Sequence, residues 1–290
     1  MPIYKGNNRL SDIYSGNTSI GKVYAGNTLV FQKSGEDPPP PPPPEVRMDT
    51  AYGYLYNWYV IREQYMPTPR YIAASGWVIP TATDYVNLFN YVNNNYPGGV
   101  SNKIRSSRMF PADHPRWMYG NENTIPTDDS KFGATPAGTR SRTTGSFGFI
   151  SEQNYLWAGN MVGNTNYSDA TVIRLSYLSS NIDIFSINRG QGCTIRAMET
   201  LSLEEASAIP DFTILENWYT GNDGKQYNCV KIFDKVYTEN LRETEYRDGS
   251  SIVYGTTNLE WTDGSSARIS LRCAYNNDES LATGNINQAK

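Results

Sequence analysis

The chain holds one histidine, His114, and three cysteines, Cys193, Cys229 and Cys273, among its 290 residues. A Ser-His-Asp triad or an imidazole metal site would need that single ring, and Ala112-Asp113-His114-Pro115 sets no second ligand beside it. It reads as a surface-loop residue. The cysteines show neither CxxC pairing nor metal spacing, so they read as buried free thiols that pack as small hydrophobes. That suits synthesis in a reducing cytoplasm. No apolar run approaches the ~20 residues of a membrane span, and residues 1–30 lack a signal-peptide layout. Lys and Arg total 25 against 29 Asp and Glu, for a net charge of −4. Without a basic stripe, nucleic acid is excluded as a partner. No catalytic residue, metal ligand or cofactor site emerges, and the expectation is a protein that is not an enzyme.

What is present is aromatic and polar, with 22 Tyr, 6 Trp and 24 Gly. That mixture, together with abundant Asn, suits short strands, tight turns and a contact surface. The first thirty residues repeat every ten. Ile3-Tyr4-Lys5-Gly6-Asn7 returns as Ile13-Tyr14-Ser15-Gly16-Asn17 and as Val23-Tyr24-Ala25-Gly26-Asn27. Each unit is expected to be one short strand ended by a Gly-Asn turn. Three such strands are too few to hold themselves together, so Ile3, Tyr4, Ile13, Tyr14, Val23 and Tyr24 should be buried by a partner. Residues 1–33 therefore read as an anchor segment. Residues 34–45 follow as a linker containing seven prolines, Pro38 to Pro44, a polyproline rod of roughly 20 Å.

Residues 46–290 form the head. Thr81 caps a helix whose apolar positions Tyr85, Leu88, Phe89 and Val92 fall at i, i+3, i+4 and i+7 and which ends near Asn93-Asn94-Asn95. A shorter helix is predicted over Leu203–Ala208, behind Ser202 and before Pro210. Residues 171–177 and 182–187 alternate as paired strands around Ser179-Ser180-Asn181. The fold class is α+β, a twisted antiparallel sheet with one or two helices.

Within the head, Tyr52-Gly53-Tyr54-Leu55-Tyr56-Asn57-Trp58, Gly76-Trp77-Val78-Ile79-Pro80-Thr81, Gly133 to Arg140, Leu156-Trp157 and Gly192-Cys193-Thr194-Ile195-Arg196 occur in order. This series resembles the Fibrobacter succinogenes major paralogous domain. Residues 211–278 resemble the opening half of the same family, through Asn222-Asp223-Gly224-Lys225-Gln226-Tyr227, Glu239-Asn240-Leu241-Arg242 and Tyr246-Arg247-Asp248-Gly249. Ordinary members carry these elements first. Here they follow residues 51–199, so the chain reads as a circular permutation of one domain. The alternative is one truncated copy followed by half of another.

The resemblance implies a C-type-lectin-like head that binds rather than catalyses. Its ligand face would comprise Asn160, Asn164, Asn166, Tyr167, Tyr177, Asn181, Asp183, Phe185, Asn188 and Arg189, with Trp157 behind them in the core. None of the tripeptides EPN, QPD or WND is present, so binding should be free of calcium. The "IYxGN" repeats resemble N-terminal segments of virion proteins in phages of gut Bacteroidetes-type bacteria. Together these imply a virion-located fibre or decoration protein, made in the host cytoplasm. It would be a homo-oligomer, a trimer by preference, seated on a larger capsid or tail protein through residues 1–32. Its head would bind a host-surface glycan or protein. The alternative is a bacterial surface or secreted adhesin of the same fold.

Overall fold

The computed structural model describes strand backbones between Tyr4 and Gln32, and residues 46–159 and 168–284 in full. Contacts divide the chain into two units, residues 1–45 and 46–290. In the first unit each ten-residue repeat is a two-stranded antiparallel hairpin, not the single strand expected. Tyr4–Lys5 pairs with Asn8–Arg9, Ile13–Ser15 with Thr18–Ile20, and Lys22–Ala25 with Thr28–Gln32. Both halves of each unit extend, so the strand after the Gly-Asn pair folds back on the strand before it. The anchor side chains are not described: Tyr4, Ile13, Tyr14, Val23 and Tyr24 lie on strand backbones, while Ile3 and the proline run lie outside the described residues.

The second unit is α+β, with three sheets rather than one. The largest runs Asp183–Asn188, Asp169–Ser176, Gln153–Trp157, Ala137–Arg140, Phe147–Ile150. It is antiparallel except for a parallel contact between Asn154 and Gly138. A four-stranded antiparallel sheet runs Met198–Thr200, Lys235–Thr238, Gln226–Ile232, Thr213–Thr220. A small third sheet pairs Leu271–Cys273 with both Leu55–Tyr56 and Val253–Tyr254.

The longest described helix, Ala82–Asn95, begins with a complete capping box: the Thr81 side chain accepts from the Asp84 backbone, and the Asp84 carboxylate accepts from Thr81. Tyr85, Leu88, Phe89 and Val92 are its buried residues, as their spacing predicts. Leu203–Ala208 is also helical behind a Ser202–Glu205 capping box. A further helix, Asn258–Ser266, carries no periodic apolar signal, because Trp261 is its one buried large apolar residue.

The core joins the two chain segments. Its largest cluster mixes Tyr56, Trp58, Trp157 and Val172 with Tyr219, Tyr227, Leu241 and Tyr246. A second sets Leu88, Phe89 and Val92 of the long helix against Ile173 and Leu175 and, from the later segment, Val230, Ile232 and Tyr237. A third packs Leu55 and Ala137 on Trp261, Leu271 and Cys273. Residues 51–199 and 211–278 thus share their apolar interior, and each is the other's cover.

Candidate recognition surfaces

The motif residues turn inward. In the Tyr52–Trp58 stretch, Tyr54 N–H donates to Leu241 O at 3.0 Å, and the Tyr56 hydroxyl donates to Glu243 O at 2.9 Å. Asn57 donates to Ile269 O at 2.7 Å and accepts from Leu271 N at 3.0 Å. Gly53 adopts φ +77, and a Cβ there would stand 2.7 Å from Asn240 Cβ, so this position needs glycine on both counts. Arg140 is fully buried between Phe147 and Trp261. It donates to Gly145 O and Thr257 O at 2.9 Å and to Gly255 O at 2.5 Å. Arg196 is equally buried and donates to Asn240 Oδ1, Phe132 O and Gly133 O. Burial lowers its guanidinium to about 10. These arginines act as planar clamps on backbone carbonyls.

The expected ligand face comes apart along one hairpin. Asp169–Ser176 pairs with Asp183–Asn188 from Asp169↔Asn188 to Arg174↔Asp183, a separation of roughly 17 Å along the strand. Asn188 and Arg189 lie at one end, beside Ser168, whose carbonyl accepts from Arg189 N at 2.9 Å. Tyr177 and Asn181 lie at the other, beyond Asp183. Asn160, Asn164, Asn166 and Tyr167 lie outside the described residues.

Several of these side chains already have internal duties. Arg189 is 7% exposed, stacks 4.5 Å over Trp58 and donates to Asp169 O at 2.9 Å; burial lowers its pKa. Asp183 is paired with Arg174 at 2.6 Å, and that guanidinium lies over Phe185. Phe185 packs on the main core and Tyr177 partly on the second cluster. Asn188 accepts from Gly190 N. Asn181 is exposed. Trp157 is fully buried and donates to Tyr56 O at 2.8 Å, the core position expected of it.

His114 is half-buried rather than free on a loop surface. Its Nδ1 lies 2.5 Å from the hydroxyl of the buried Tyr52, and its pKa is lowered first by burial and then by Arg116 and Arg108. The three cysteines are buried and unpaired, as read. Burial pushes all three thiols up, that of Cys273 to about 12. Glu243 is a buried carboxylate that accepts from Asn222 N at 2.9 Å. Burial, then the neighbouring Asp223, raises it to about 7. Among the described residues no group of His, Cys, Asp and Glu could hold a metal ion, and no helix is long and apolar enough to cross a membrane.

One concave feature has no signature in the sequence. A cleft of about 460 Å³ lies between the outer face of helix Ala82–Asn95 and the Ile232–Lys235 turn, bordered by Asn87, Asn90, Asn94, Tyr91 and Phe233. The four-residue spacing that revealed the helix's inner stripe says nothing about what its polar face meets.

The Fibrobacter succinogenes major domain model matches residues 21–199. That is well over half of the chain, and the chain belongs to this family. The match ends before residues 211–278. No curated protein and no solved structure matches the chain.

Proposed function

We propose that this chain is a tethered recognition protein, a phage virion fibre or decoration whose head binds a host-surface glycan or protein without metal. The head is a C-type-lectin-like domain in circularly permuted order. The observation that carries the reading is the layout: a row of three small hairpins, a proline run, and a separate head in which the family motifs serve the interior. Hairpins of two to five residues per strand bury little by themselves, which suits docking on a larger particle protein as a homo-oligomer. Seven prolines suit a spacer of roughly 20 Å. A head whose motif residues are spent on holding the fold leaves its outer loops available for contact. The permutation is supported by the shared core, in which the later segment, whose motifs resemble the family's opening half, packs against the earlier one.

The test is deletion of residues 1–32. The head should keep its melting temperature, and the shortened chain should no longer join the particle when co-expressed with the remaining virion proteins. Normal incorporation of the shortened chain would overturn the anchor.

A further inference from the structure

We propose that the cleft between helix Ala82–Asn95 and the Phe233–Asp234 turn binds a neutral saccharide. The first observation is a residue in the wrong place for folding. Ile232 pairs with Lys235, leaving Phe233-Asp234 as a two-residue hairpin turn. Phe233 takes φ +59 there, a conformation that such turns normally give to glycine or asparagine. A bulky residue in the left-handed region costs on the order of 1–2 kcal/mol. The ring recovers little of this by burial, being 57% exposed.

The second observation is that the ring is held where it stands. Asp211 accepts from Phe233 N–H at 2.9 Å and from Lys231 Nζ at 2.6 Å. Its other oxygen accepts from the Tyr91 hydroxyl. The Tyr91 ring then lies 5.1 Å from the Phe233 ring. Strain, exposure and a fixed orientation together describe a presented aromatic platform.

The third is the opposite wall. Asn87, Asn90 and Asn94 follow one another at i, i+3 and i+7 along the helix and are all exposed. None of their carboxamides makes a side-chain hydrogen bond among the described residues, while Leu88, Ile232 and Tyr237 close the floor.

The charges at the cleft are already used. The Asp84 carboxylate is committed to the helix cap. Lys235 Nζ donates to Thr200 Oγ1 at 2.9 Å and to Asp234. What remains free is three carboxamides, each both donor and acceptor, facing an aromatic surface. Hydroxyls with the same dual character, on a ring whose C–H face can lie against Phe233, match that set. An anion would meet no uncommitted cation, and an apolar ligand would leave the carboxamides dry. The volume lies within the usual range for small-ligand pockets.

The inference does not depend on where the protein resides, since the assay needs only the purified full chain. The chain is applied to immobilised neutral oligosaccharides (cello-, malto-, manno-, galacto- and chito-oligosaccharides), with heparin as the anionic control. Phe233→Asn and Asn87→Ala/Asn90→Ala/Asn94→Ala are measured in parallel. Asparagine tolerates the turn conformation and alanine is the better helix former, so neither variant should lower the melting temperature. Each should weaken binding about tenfold or more, the loss of ~1.4 kcal/mol. Failure of the wild type to bind any neutral member overturns the proposal. So does preference for heparin, or binding that survives both variants.

Discussion

The seam between the two chain segments and the outer surface of the head use the same residue types in opposite ways. Along the seam, Asn57, Arg140 and Arg196 have specific partners on main chain or on Asn240, and none of their polar work is left over for a ligand. On the surface, Asn87, Asn90 and Asn94 border an open cleft and Phe233 stands strained and half out of the protein. Arginine and asparagine in a motif are therefore poor guides to binding in this chain. Polarity marks a ligand site only where the fold has left it unsatisfied.

The strongest break of that contrast is to remove the far side of the seam. A chain ending at Pro210 loses Leu241, Tyr237 and Leu271, and with them part of the cover of each core cluster. Residues 51–199 should then lose cooperative melting altogether, measured by near-ultraviolet circular dichroism against temperature. A surviving cooperative transition would mean two domains instead of one.

A single clamp should cost less. Arg140→Met keeps much of the side chain's bulk between Phe147 and Trp261 but leaves the buried carbonyls of Gly145 and Gly255 without their donor, while Thr257 O keeps the bond from Trp261 N–H. Buried groups left unpaired cost about 1–3 kcal/mol each, so a loss of about 3–5 kcal/mol is expected in the urea midpoint analysis. A loss under about 1 kcal/mol would show that water replaces the guanidinium and that the seam is less dependent on it.

The smallest effect depends on pH. Glu243 is raised from its ordinary 4.5 to about 7 in the fold, so the folded state holds this proton more tightly than the unfolded one. Its contribution is fully present below pH 4.5 and is lost as pH rises through 7. Glu243→Gln should remove that slope, leaving stability near pH 4.5 unchanged and raising it by about 1–3 kcal/mol at pH 8. Parallel stability–pH profiles for wild type and variant would contradict the assignment.

What could be seen in the sequence was what local chemistry decides. Thr81 with Asp84 and the Tyr85–Val92 spacing specify a capped amphipathic helix within fifteen residues of chain. The alternation of residues 171–177 and 182–187 around a short turn specifies a hairpin. Helix Asn258–Ser266 was not legible, because Gly264, Ser265 and Ser266 weaken its propensity and Trp261 alone gives no periodicity. The split of the expected ligand face was equally hidden. Tyr177 and Asn188 are close in sequence, but an extended strand carries them apart.

By itself the sequence determined the family, the α+β class, the long helix with its buried stripe, and the burial of Trp157 and the three cysteines. It could do so because each follows from a period, a cap or a motif read over a few residues. Only the tertiary structure decided that residues 51–199 and 211–278 share their core, that Arg189 faces inward to Trp58, and that Phe233 faces the Asn87–Asn94 side of a helix nearly 140 positions earlier. These depend on which surfaces meet across long stretches of chain. Hydrophobic burial drives such meetings without direction, so no local pattern records them.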